Sequence, residues 1–370
     1  MKFSVNSKVL NAGLSAVVGA VPTRATLPIL ETILFEAEEG IIRLTSTDLE
    51  ITMIETVDAE VEQEGSVAMP AKRLLETLKQ LPDTPVRFEV DERGNIAFKT
   101  ETGSYRLAGE RAEDFPESPD MTVGSTVTCD ASVIRKAIQK TLFAVSNDDL
   151  RPAMMGVYFD IGSEGTTFVA TDGHRLVRYS NQALLSGEPL SFIVPSKALN
   201  QIAKSLGGDA CSITVSDAHA VFETDRTIVA TRLINESYPN YESVIPRDND
   251  KQVLIDKEQM LSTVRRVSVF SSTNTRQIRL ELDEDKLTIR AEDLDMSSEA
   301  RETLSCEYAG AAMEIGFNAR YLADVLQNVE TGAARFEFST PNRAGIIKPD
   351  EPIEGEDILM LVMPVMLNTY

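Results

Sequence analysis

"LTSTDLEI" (44–51), "FVATDGHRL" (168–176) and "TIRAEDLDM" (288–296) are three versions of one phrase. Each runs strand-like for a few residues, takes a polar step, and arrives at an aspartate: Asp48, Asp172 and Asp293. The spacing is roughly 120 residues, a period that marks a repeated unit rather than a chance motif. Working outward, Phe35, Phe159 and Leu280 precede their aspartates by the same interval and end the β-patterned runs "ETILF", "MGVYF" and "RQIRL". "AMPAKRLLETLKQL" (68–81) matches "IVPSKALNQIAKSL" (193–206), with a weaker third copy in "IGFNARYLADVLQNV" (315–329). The openings "FSVNSKVLNAGLSAV", "VTCDASVIRKAIQKTLFAV" and "VLIDKEQMLSTVRRVSVF" align as well. So do the closings "YRLAGERAEDFP" (105–116) and "TRLINESYPNY" (231–241).

Several matches in one order at one period predict three copies of one domain, over 1–122, 123–247 and 248–370. Proline-, glycine- and charge-rich links at 116–125 and 246–252 separate them. Each copy reads strand, helix, strands, helix, strands, which predicts an α+β fold with two helices packed on antiparallel sheets. In the second copy the first helix is expected over 130–145, capped by Asp130 or Ser132. Ile134, Ala137, Ile138, Thr141, Leu142 and Val145 form its apolar stripe, with Arg135, Lys136, Gln139 and Lys140 off it. The second helix is expected over 196–206, burying Leu199, Ile202, Ala203 and Leu206.

Composition narrows the function. Apolar residues make up 42% of the 370, enough for a sizeable core, and the length suits two or three domains. Cys129, Cys211 and Cys306 are odd in number and far apart, which suits neither a disulfide framework nor a zinc site; reduced core thiols are expected. "MKFSVNSKVL" holds no long apolar run, so no signal peptide is expected, and the ten residues "ILMLVMPVML" (358–367) are too short to span a bilayer. A cytoplasmic protein with no membrane partner follows.

The net charge of −22 speaks against nucleic acid until it is located. The six helical segments are each neutral or net positive, so the acid lies on strands and loops. Lys72 and Lys79 in the first repeat recur as Lys197 and Lys204 in the second. Aromatics do not interleave with them, so the pattern fits sequence-blind contact with a duplex backbone rather than base stacking. A merely solvated helix face is the plainer alternative.

The most specific stretches are "LPILETILF" (27–35), "STDLE" (46–50), "ATDGHRL" (170–176), "YPNYESVIP" (238–246), "MEIGFNARYLADVL" (313–326) and "LVMPV" (361–365). Taken together, over the full length, they resemble the bacterial sliding clamps, the beta subunits of replicative DNA polymerase III. The resemblance implies a DNA clamp fold in which a head-to-tail homodimer closes a ring of six domains around duplex DNA. It implies a tether for the replicative polymerase, the clamp loader and other proteins that dock short peptides, with no cofactor, no metal and no catalysis.

In residue terms the resemblance places phosphate contacts at Arg24, Lys72, Lys79, Lys197 and Lys204. The dimer interface falls on Ser104, Tyr105, Arg106 and Leu107 against Arg301, Thr303 and Cys306, with Val269 and Phe270 beside them. A peptide pocket is implied at Met154, Thr171, Gly173, His174, Arg175 and Leu176, at Pro239 and Val244, and at Val362, Met363, Pro364, Val365, Met366 and Leu367. Two departures bear on that pocket. The ending "MPVMLNTY" carries Val365 and Met366 in variable places plus three added residues, and Ser243 stands where the family often has arginine.

His174 also invites another reading, a hydrolase using Asp172 and His174. The repeats weigh against it, because the aspartate recurs three times and the histidine once. A protein-binding repeat scaffold is the other rival, and the basic helix faces are what separate it from a clamp. Asp148 and Asp149 read as a solvated loop rather than a metal pair, and His219 carries no functional reading.

Overall fold

The computed structural model describes residues 1–367; the last three residues of the extended ending, 368–370, lie outside the described residues. Among the described residues there are six α-helices: α1 (Ser7–Val17), α2 (Ala71–Gln80), α3 (Ala131–Thr141), α4 (Ser196–Ser205), α5 (Lys257–Ser268) and α6 (Ala319–Gln327). They sit where the repeats put them, one following the first strand and one the middle strands of each copy. Asn6, Asp256 and Asn318 cap α1, α5 and α6 by accepting backbone N–H bonds, and the Asp130 carboxylate accepts from the Ser132 N–H at the start of α3.

The residues group into two compact units. The first comprises Met1–Lys136 and Val194–Ile234; the second comprises Ala137–Ile193 and the described residues from Asn235 on. The middle third of the chain is divided between them because the sheets do not stop where the repeats do. In the first unit an eight-stranded antiparallel sheet runs from Ser125–Asp130 through Ala210–Val215, His219–Glu223 and Thr227–Arg232. It continues without a break into Ile51–Asp58, Ile41–Thr47, Thr32–Glu38 and Gly65–Pro70. The second unit has the corresponding seam, where Arg175–Asn181 pairs with Glu356–Val362 inside a nine-stranded sheet.

Two smaller sheets complete the set. A five-stranded one ends on Ser104–Ala108, and a four-stranded one ends on Ser298–Ser305. The five-stranded sheet is braced by an aromatic ladder. Phe3 stacks on Phe88 at 4.7 Å, Phe88 on Phe98 at 5.1 Å, and Phe98 on Tyr105 at 4.8 Å, so the ladder finishes on the outermost strand. Each such pair adds about 0.5–1.5 kcal/mol beyond area burial.

The helices bury the faces their spacing predicts. Leu74 and Leu78 of α2 and Leu199 and Ile202 of α4 are fully buried, each contributing about 1.5–3 kcal/mol. In α1 the approach to the sheet is so close that a Cβ on Gly13 would lie 2.4 Å from Val57 Cγ2. One expectation fails: Lys140 is not off the buried stripe of α3 but is itself buried, at 4% exposure. Its ammonium donates to the Asn328 carbonyl at the C-terminal end of α6 (2.8 Å) and pairs with Glu330 (2.9 Å). A helix C-terminus and a carboxylate make that burial tolerable. Cys129, Cys211 and Cys306 are free and buried, and desolvation pushes their thiols up to about 11, 12 and 11.

The three repeated aspartates have one structural job. The Asp48 carboxylate accepts the N–H groups of Glu50 and Ile51, Asp172 those of His174 and Arg175, and Asp293 those of Asp295 and Met296. Each closes a hairpin turn through its own side chain, which is why aspartate recurs there. The residue after the aspartate takes a left-handed conformation in the first two turns: Leu49 at φ 75° and Gly173 at φ 86°. Leucine there carries strain of about 1–2 kcal/mol that glycine does not. Leu49 is half exposed, so Leu49→Gly should raise stability by up to about 1 kcal/mol. Chemical denaturation should show the midpoint moving up with unchanged slope.

Candidate functional site

A cavity of about 630 Å³ lies in the second unit. Leu176, Ala344 and Leu361 line its floor, and they belong to a buried apolar cluster with Val169, Ile346 and Leu359, against which Tyr158, Tyr238, Tyr241 and Ile245 pack. The seam between Arg175–Asn181 and Glu356–Val362 builds this floor by setting Leu176 opposite Leu361. The link "YPNYESVIP" folds over the same cluster. Tyr238 stacks on Tyr158 at 4.9 Å and donates its hydroxyl to the Val169 carbonyl at 3.2 Å. Burial raises the Tyr238 phenol well above its usual range, which keeps it a neutral donor.

Of the residues expected in a pocket, Met154, Thr171, Gly173, Arg175, Leu176, Pro239, Val244 and Met363 line this cavity together. His174, Val362, Pro364, Val365, Met366 and Leu367 do not. Strand alternation explains Val362, which is fully buried next to the lining Leu361. The tail beyond Met363 leaves the cavity and crosses to the strand Met313–Asn318. There the Val365 N–H donates to the Gly316 carbonyl at 2.9 Å, and Leu367 packs over the same glycine. Sequence reasoning also missed lining residues. Tyr241, Ile245 and Pro246 belong to a stretch already singled out, and Ser243 lines the cavity as well. Asn342, Arg343 and Ala344 come from a turn with no motif, and only folding brings them in.

His174 is exposed, its ring stacked on Tyr321 at 5.6 Å, and its carbonyl accepts the Met363 N–H at 2.7 Å. The turn thus holds the start of the tail through its main chain. The Asp172 carboxylate is occupied by the turn's own N–H groups and by Arg175 Nε at 3.1 Å. This is a turn-closing acid rather than the orienting acid of a catalytic dyad. Arg175 is 8% exposed. It also reaches Asp324 at 2.5 Å and lies over the rings of Tyr321 and Phe143. Two carboxylates and two rings fix it, so it shapes the wall rather than offering a free charge. Arg343 is paired with Asp248. What remains for a ligand is mostly apolar surface with a few polar groups, the character of a peptide or small-molecule pocket.

Arg24, Lys72, Lys79, Lys197 and Lys204 are all exposed and all in the first unit. Lys72 and Lys79 stand two turns apart on α2, as Lys197 and Lys204 do on α4, and α1 packs against both helices. Lys197 is additionally paired with Asp48 of the first hairpin turn. Of the remaining expected positions, Ser104 and Arg106 are exposed and Tyr105 and Leu107 half-buried on the outermost strand of the five-stranded sheet. Arg301 and Thr303 are exposed on the outermost strand of the four-stranded sheet, whereas Cys306 lies just beyond it and is buried. Val269 is 78% exposed and Phe270 42%, large apolar side chains left in solvent at the end of α5. Asp148 is held by the Leu150 N–H and Arg151, which lower its carboxyl below the usual range. Among the described residues no group of three or more His, Cys, Asp or Glu is placed to hold a metal, and no helix is long and apolar enough to cross a membrane.

Known proteins agree with this architecture over its whole length. Residues 1–119 match the N-terminal domain of the DNA polymerase III beta subunit, 128–240 its central domain and 242–366 its C-terminal domain. The beta sliding clamp of Synechococcus elongatus is 31% identical over 380 residues, covering 100% of both chains. That of Pseudomonas putida is 31% identical over 372 residues, covering 99% of this chain and 100% of the relative. The crystal structure of the Pseudomonas aeruginosa sliding clamp bound to griselimycin has a TM-score of 0.94 at 31% identity, over 99% of this chain and 100% of that one. The Bacillus subtilis sliding clamp, at 23% identity and a TM-score of 0.94, shares the fold. The fold is that of a DNA clamp. The chain belongs to the family of DNA polymerase III beta subunits, the bacterial beta sliding clamps, and its role is that of a DNA sliding clamp in replication.

The tail contact has a sharp steric test. A methyl group on Gly316 would lie 2.6 Å from the Val365 carbonyl oxygen and 2.7 Å from Leu367 Cδ2. Gly316→Ala should therefore lift the tail off its strand while the core stays folded, costing about 1–3 kcal/mol locally. Hydrogen exchange at the Val365 amide should accelerate at least about tenfold.

Proposed function

We propose that two copies of this chain close head to tail into a ring that encircles duplex DNA, slides along it, and tethers partners through peptides bound in the cavity. One observation carries ring closure. In the first two repeats, the strand after the aspartate hairpin pairs with the last strand of the next repeat. In the third, that strand is Ser298–Ser305, and in the first repeat the last strand is Ser104–Ala108; both are outermost in their sheets. Such edges are liabilities unless covered, and a heterologous contact that closes covers both at once. The exposed Val269 and Phe270 supply apolar surface for the same contact.

The domains of this clamp are 1–122, 123–247 and 248–370, repeat by repeat. Arg24, Lys72, Lys79, Lys197 and Lys204 contact phosphates without reading bases, so the ring holds DNA without stopping on it. The protein works in the cytoplasm and carries out no chemistry of its own. Replicative polymerase, clamp loader and other DNA-processing proteins compete for the pocket, each held at high effective concentration by a ring that cannot fall off. Its mostly apolar lining favours peptides with large apolar side chains; Arg175 and Arg343 are paired with acids, and the exposed lining Arg247 is the cation left to meet an acidic group.

Topology is the decisive test. After loading, the protein should stay with nicked circular DNA through gel filtration and be lost when the circle is linearised. Retention on linear DNA, or loss from the circle, would remove the ring. Charge reversal at Lys72, Lys79 and Lys204 should weaken duplex binding equally across sequences and reduce its salt dependence. Lys197 is left out of that set because its loss would also break the pair with Asp48.

A further inference from the structure

Cys129 and Cys211 are far apart in the chain but face each other in the fold. In the first unit the strand Ser125–Asp130 pairs antiparallel with Ala210–Val215, and the register sets Cys129 directly opposite Cys211. Directly opposed residues share a face. Here it is the inner one, because Val127 and Ile213, the next pair on that side, are buried as both cysteines are. The Ala131 N–H donates to the Asp209 carbonyl at 2.9 Å, two residues further along the same ladder. Hydrogen-bonded and non-hydrogen-bonded pairs alternate, so the cysteines form a hydrogen-bonded pair with Cα atoms about 5.5 Å apart. A disulfide spans Cα atoms about 4.4–6.8 Å apart. Both thiols are free.

We propose that Cys129 and Cys211 are an oxidation site, where peroxide forms a cross-strand disulfide that fastens the edge of the eight-stranded sheet and thiols reopen it. The Cys129 thiolate attacks one peroxide oxygen and the O–O bond breaks. A sulfenic acid forms, and the departing hydroxide takes up the thiol's proton to leave as water. The Cys211 sulfur then attacks the sulfenic sulfur. An S–S bond replaces the S–O bond, and the hydroxide leaves with the Cys211 proton as a second water. Two thiols and one hydrogen peroxide thus give one disulfide and two waters.

Cys129 reacts first because it is the more accessible, 8% exposed against 0% for Cys211, on a strand that is outermost in its sheet. An outermost strand is paired on one side only, so it opens locally more readily than an inner one. It can also give the roughly 1 Å by which opposed Cβ atoms, about 4.5–5.5 Å apart, exceed the reach of a disulfide, about 3.5–4.5 Å. A bond closed under that strain is easily reduced, which makes the change reversible. The surroundings set the pace. Burial, and after it the Asp130 charge, pushes the Cys129 thiol up to about 11. Burial, and after it the neighbouring Cys129, pushes Cys211 up to about 12. Little thiolate exists near neutral pH, so the pair stays reduced through brief exposure and closes under sustained peroxide. It needs neither a second copy of the chain nor DNA.

The full chain, reduced and then freed of reductant, is treated with hydrogen peroxide, alkylated with iodoacetamide and mapped by peptide mass spectrometry. The Cys129 and Cys211 peptides should be recovered joined, and dithiothreitol should separate them. Cys306, the one cysteine of the second unit, should remain alkylated. Closure should run about tenfold faster at pH 8 than at pH 7, because the attacking thiolate rises in that proportion below the thiol's pKa. Cys129→Ala and Cys211→Ala should each abolish the joined peptide. Cys306→Ala keeps the pair and should leave it intact. Met366, 77% exposed, reports whether the oxidant has acted. Conversion of Met366 to its sulfoxide with Cys129 and Cys211 both still alkylated overturns the proposal. So does recovery of the two cysteines as separate sulfinic acids, or joined to Cys306 instead of to each other.

Discussion

Unpaired strand edges govern this protein. A β-strand that ends a sheet leaves a row of N–H and C=O groups whose hydrogen bonds must go somewhere. Twice along the chain the next repeat answers that demand, through Ile51–Asp58 with Thr227–Arg232 and through Arg175–Asn181 with Glu356–Val362. Much else follows from those two seams. They carry sheets across repeat boundaries, so the compact units do not coincide with the repeats. They set Leu176 beside Leu361 and so make the floor of the cavity.

The hairpin before each seam strand explains a pattern that first looks catalytic. Asp48, Asp172 and Asp293 spend their carboxylates on main-chain N–H groups two and three residues ahead. The turn they close then does different work in different repeats. In the first it holds Lys197 through Asp48. In the second it fixes Arg175, and the His174 carbonyl anchors the tail at Met363. One turn chemistry, repeated, has been adapted by its neighbours, and a lone histidine in such a turn is a structural residue before it is anything else.

Charge is distributed by the same division between layers. The acid behind the net −22 sits mainly on strands and loops, while Lys72, Lys79, Lys197 and Lys204 stand exposed on helices. Lys140 shows the limit of reading charge from helical spacing. It occupies a helix position like theirs, yet it is buried against the end of α6 and Glu330. Its partners come from a segment nearly two hundred residues away, which no local pattern announces.

The sequence by itself determined the repeat, the element order, the six helices and the aspartate turns, although α3 ends at Thr141 rather than at 145. These rest on local periodicity, capping and turn chemistry, all written within a few neighbouring residues. It also marked much of the cavity, because the link and the second hairpin carry recognisable residues. Tertiary structure alone decided what crosses the chain. It brought the turn at Asn342, Arg343 and Ala344 into the wall, turned Val362 away from it, and sent Val365 and Leu367 to Gly316. It also decided the true alignment of the closing strands. The shared Arg-Leu of "YRLAGE" and "TRLINE" suggests that Tyr105 answers to Thr231, whereas strand register makes Val229 its counterpart. A strand's side chains alternate faces, so the core reads every second position and is indifferent to identities that fall on the wrong one.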